Sequence, residues 1–80
     1  MRYFVRVETK KNVLYLYVIN NNTPSLAVNW KDATFFRTIE EAQHGFSLVR
    51  QNFTGLGIIS LEVRGVKVSM GDEVYAKELF

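Results

Sequence analysis

A chain of 80 residues without cysteine makes one domain, 1–80, near the lower size limit for a self-sufficient core, and it has no disulfide or thiolate site to draw on. Hydrophobic residues at 48% and charged residues at 22% are ordinary for a globular domain, and a net charge of +2 is too small to indicate nucleic acid by itself. The charge is uneven: Arg2, Arg6, Lys10 and Lys11 outnumber Glu8 in the first twelve residues, whereas Asp72, Glu73 and Glu78 outnumber Lys77 at the other end.

Residues 2–10 read as a strand, with Tyr3, Val5 and Val7 alternating with Arg2, Arg6 and Glu8. Phe4 is the exception, an aromatic ring on the charged face. After the polar break Lys10-Lys11-Asn12, residues 13–19 read as a second strand, and the two form a hairpin. This second run has no polar face, with Val13, Tyr15, Tyr17 and Ile19 on one side and Leu14, Leu16 and Val18 on the other. A strand apolar on both faces is covered on both. One helix covers only one, so the other face is expected to meet another chain or a ligand.

Residues 20–25 have the Asn, Pro and Ser content of a loop. Residues 26–37 predict one or two short extended pieces, broken by a turn at Lys31-Asp32-Ala33. Thr38-Ile39-Glu40-Glu41 fits a capping box, and Ile39, Ala42, Phe46, Val49 and Phe53 follow as one apolar stripe. Gly55 and Gly57 are expected to end that helix. Residues 58–69 predict one long strand or two short ones. Its apolar phase changes after Gly65, as a bulge there would cause, with a tight turn at Arg64-Gly65 as the alternative. Residues 70–73 read as a turn, and 74–80 as a last extended piece or an irregular tail. The fold class is therefore α+β: a small antiparallel sheet of 3–5 strands, opening with a hairpin, with one helix packed on one face.

No constellation for catalysis stands out. His44 is the single histidine, and its helical position falls off the apolar stripe, with only Glu40 one turn back. Asp72-Glu73 lacks the ligand ladder of a calcium loop, and one histidine without cysteine makes no zinc set. Gly55-Leu56-Gly57 follows a helix and precedes a strand, the reverse of a phosphate-binding glycine loop. The expectation is a protein that is not an enzyme and has no cofactor and no metal.

The hairpin is the candidate binding surface. Arg2, Phe4, Arg6, Tyr15 and Tyr17 combine the aromatic and arginine content enriched at protein interfaces. The favoured partner is a protein, either a second copy in a homo-oligomer or another chain. Nucleic acid is the alternative, since sheets do stack bases on aromatic rings, but no RNA-recognition signature is present. The N-terminus lacks the continuous apolar run of a signal peptide, and no stretch approaches the ~18–20 apolar residues of a membrane span. The expected location is cytoplasmic, away from the membrane.

Residues 30–42 contain Phe36-Arg37-Thr38-Ile39-Glu40-Glu41-Ala42, an aromatic-x-Thr-x-Glu-Glu-Ala segment between a hairpin and a final strand. In this layout, residues 1–66 resemble small uncharacterised bacteriophage and prophage accessory proteins. That resemblance implies a phage or mobile-element factor in the host cytoplasm. Its implied role is an inhibitor bound to a host defence protein, as anti-CRISPR proteins are, or an oligomer that sequesters a nucleotide. It transfers no functional residue to this chain.

Overall fold

The N-terminal alternation folds as strand β1 (Arg2–Thr9), and the doubly apolar run as β2 (Val13–Ile19). Strands β3 (Thr23–Ala27), β4 (Ile58–Ser69) and β5 (Asp72–Glu78) complete a five-stranded antiparallel sheet in the order β3-β2-β1-β4-β5. Helix α1 (Ile39–Asn52) lies across one face. This is a computed structural model that describes residues 1–20, 23–69 and 72–78, with side chains described for 1–20 and 23–66. Of the turn expected at 70–73, residues 70 and 71 lie outside the described residues, and Asp72 and Glu73 prove to be strand, paired with Ser69 and Val68. Strand β5 shows that the last extended piece is a strand as far as Glu78.

Thr38 caps α1 as expected, its Oγ1 accepting from the Glu41 N–H at 3.1 Å. The helix stops earlier than its glycines suggest. Phe53 is the C-cap, and its N–H donates to the Val49 carbonyl. Thr54–Leu56 adds a 3-10 turn, and Gly57 at φ 69° then redirects the chain into β4. Gly57 thus serves the second stop rather than the first. Ala42, Gly45 and Val49 are the buried residues of the helix. A Cβ on Gly45 would stand 2.6 Å from Leu16 Cδ2 and 3.2 Å from Val5, so the bare glycine sets how closely helix and sheet approach.

Register assigns the faces. Val5 pairs with Val63, and Val7 lies between Leu14 and Leu61. These side chains meet α1 in a first core of Val5, Val7, Leu16, Ala42, Val49 and Val63. The even residues of β1 and β4 and the odd residues of β2 point the other way. There a second core forms from Phe4, Ala33 and Val66, with Tyr15, Trp30 and Phe35 packed on it.

The segment expected to be extended pieces with a turn proves to cross the sheet. Trp30–Asp32 is a 3-10 turn capped by Asn29, whose side chain accepts from the Lys31 N–H at 3.0 Å. The recorded β1–β2 pairs span Arg6–Tyr15 to Glu8–Val13, and residues 34–36 bond to both strands beyond Arg6 and Tyr15. The Thr34 N–H donates to the Leu16 carbonyl, the Val18 N–H donates to Thr34 Oγ1 at 2.7 Å, and Phe36 and Tyr3 exchange backbone hydrogen bonds. Phe35 joins the second core and Phe36 the first, so the chain passes through the sheet between β1 and β2.

Three local expectations change accordingly. Strand β3 begins at Thr23, inside the expected loop. It is an edge strand, where Pro24 can sit without a ladder N–H. The apolar phase change after Gly65 involves no flip of β4, because its register against β1 is continuous from Glu8–Ser60 to Arg2–Val66. Val66 is apolar because it lies under the second core. The irregularity at Gly65 faces β5, which carries the extra residue. A separate bulge occurs at Ile59, between the Glu8–Ser60 and Thr9–Ile58 pairs, and leaves Ile59 58% exposed.

Candidate protein-binding face

The sheet face away from α1 carries all five hairpin residues singled out in the sequence, but in different environments. Arg6 stands opposite Tyr15 on β2, and Phe4 opposite Arg64 on β4. Phe4 has no exposed surface. Its ring is stacked on Trp30 at 5.8 Å, edge-on to Phe35 at 5.9 Å and tilted against Tyr15 at 5.6 Å. Phe4 is therefore a support beneath the face and not a contact residue. A hydrophobic ring among charged neighbours is explained here by the chain's own 30–35 segment folding over it. The same segment covers the part of the doubly apolar strand that holds Tyr15. One half of the face expected to need another molecule is thus covered from within.

Tyr15 is half-buried, whereas Tyr17 and Ile19 remain 40% and 39% exposed. Two residues apart on β2, they share one face and lie side by side along it. Arg2 is exposed at the start of β1. An ion-pair chain runs across β1 and β4. Arg6 Nη1 reaches Glu8 Oε1 at 3.0 Å and Glu62 Oε2 at 3.4 Å, and Arg64 Nη2 reaches the same Glu62 oxygen at 3.3 Å. Burial of Arg6 opposes its charge. The hydrogen bond from Arg6 to Glu8 and the fields of Glu62 and Glu8 outweigh that cost, and its pKa is raised above the ordinary arginine value. Both arginines are thereby engaged by carboxylates of their own chain.

Ile19, Trp30, Glu62 and Arg64 belong to this face and were not among the candidates. Ile19 was legible in the β2 alternation. Glu62 and Arg64 became neighbours of Arg6 only through the β1–β4 register. His44 is exposed on α1, and among the described residues no group of three His, Cys, Asp or Glu side chains is placed to hold a metal ion. No helix among the described residues is long and apolar enough to cross a membrane. No protein-family model, curated protein or solved structure matches the chain.

Proposed function

We propose that this protein is a small non-enzymatic binding factor of phage or mobile-element type, which acts by covering a functional surface of a protein partner. The observation that carries the reading is the pair Tyr17 and Ile19, exposed side by side on the half of the sheet face that residues 30–35 leave open. An exposed apolar pair on a face whose central charges neutralise one another suits a protein interface, whose core is apolar and depleted of charge. A host defence enzyme is the partner class the proposal names, in the cytoplasm of the host cell, and inhibition would be steric. Self-association through the same pair is the homo-oligomeric form of this reading. Nucleic acid is disfavoured because Arg6 and Arg64, the cations at the centre of the face, are already paired with Glu8 and Glu62.

The test compares the wild type with a Tyr17→Ser/Ile19→Ser variant, immobilised side by side in bacterial lysate at low and high salt. Light scattering gives the solution mass of each. A protein, or a second copy, held by the wild type at both salt concentrations and lost by the variant is the expected result. Identical retention by both would overturn the assignment of the face. Retention that collapses with salt would indicate nucleic acid instead.

A further inference from the structure

At the opposite end of β2, roughly 20 Å from Ile19 at the ordinary strand rise, the β1–β2 turn faces the 3-10 turn that follows α1. A concavity of about 390 Å³ lies between them, walled by Lys10, Lys11, Leu14 and the run Gly55-Leu56-Gly57. Its size falls in the range of small-molecule sites, roughly 300–1,000 Å³.

The walls are chemically divided. Lys10 and Lys11 are exposed, and no carboxylate among the described residues forms an ion pair with either. The adjacent carboxylate, Glu8, is engaged by Arg6. Leu14 and Leu56 supply the apolar part, Leu56 with 41% of its surface exposed. The lysine turn is held in shape by Thr9, whose buried hydroxyl accepts from the Lys11 and Asn12 N–H groups at 3.3 and 3.1 Å and lies 2.9 Å from the Asn12 carbonyl. Gly55 completes the picture. Its φ is not positive, and a Cβ there would meet nothing within 4 Å. Neither backbone conformation nor close packing requires glycine at this position, and glycine adds no side chain to the wall it lines.

We propose that this concavity binds a phosphomonoester carrying an apolar or aromatic group. Two ammonium groups match the near-dianionic charge of a phosphomonoester at neutral pH. Leu14 and Leu56 receive the organic part. The site is separate from the Tyr17 face and does not depend on the role assigned to it.

The test is a titration of the ¹⁵N-labelled protein, followed by amide shifts, with adenosine monophosphate, inorganic phosphate and adenosine as probes. The expected result is saturable binding of the nucleotide, with shifts confined to residues 9–14 and 54–58. Phosphate and adenosine alone each bind at least about tenfold more weakly, since each lacks one half of the recognition. Lys10→Gln and Lys11→Gln each weaken nucleotide binding about tenfold, the loss of one charge-assisted contact. Shifts that stay linear to millimolar nucleotide, or that are unchanged in both lysine variants, would overturn the proposal. So would inorganic phosphate binding as tightly as the nucleotide.

Discussion

Phe4 shows how little a residue's sequence neighbours fix its environment. Arg2 and Arg6 flank it on the same face, yet the ring is fully buried because Trp30, Ala33 and Phe35 fold over it. Removing it leaves a cavity at the junction of three aromatic contacts. Phe4→Ala is expected to cost about 3–5 kcal/mol, the usual range for a buried phenylalanine. Tyr17→Ser, on the same face but 40% exposed, should cost clearly less, about 1–2 kcal/mol. Urea denaturation of the two variants checks the contrast. Equal losses would mean that the face has no division between support and surface. The sequence left this division open, since alternation along each strand does not settle which face of β2 meets the helix and carries no information about which part another segment covers.

The elements that follow local rules were legible. The capping threonine, the apolar stripe of α1 and the hairpin of β1 and β2 all depend on residues within a few positions of one another. Segment 33–36 depends on a gap that opens only once β1 and β2 have diverged, so its passage through the sheet had no local signature beyond the adjacent rings Phe35 and Phe36. The edge strand β3 was hidden by Pro24, which signals a loop unless one side of the strand is known to be open. Thr34 holds the crossing in place. Its N–H donates to Leu16, and its hydroxyl replaces a ladder acceptor for the Val18 N–H at 2.7 Å. Thr34→Val keeps the shape and removes that acceptor. It is expected to cost about 1–2 kcal/mol, because the Val18 amide loses its partner at a part-buried site. Native-state hydrogen exchange at the Val18 amide should accelerate more than at amides elsewhere in the sheet. Exchange unchanged at Val18 would show that the hydroxyl is not its working acceptor.

For the whole molecule, two small cores on opposite faces of one sheet raise the question of whether they melt together. They share β1, which sends Val5 and Val7 into one and Phe4 into the other. They also share the crossing segment, where Phe35 and Phe36 are consecutive residues on opposite sides. Opening the second core pulls Phe35 away and withdraws Phe36 from the first, so neither can be lost alone. The chain carries its own reporters for this. Trp30, the single tryptophan, stacks on Phe4 and senses the second core by fluorescence, while α1, packed on the first, dominates far-ultraviolet circular dichroism. The expected outcome is one transition, with coincident midpoints from both signals and a parallel drop of both in Phe4→Ala. A fluorescence change that precedes loss of the helix would mean that residues 30–35 open as a local unit. The Tyr15 half of the sheet face would then be available to a partner together with Tyr17 and Ile19, and the buried Phe4 would become a contact residue in the bound state.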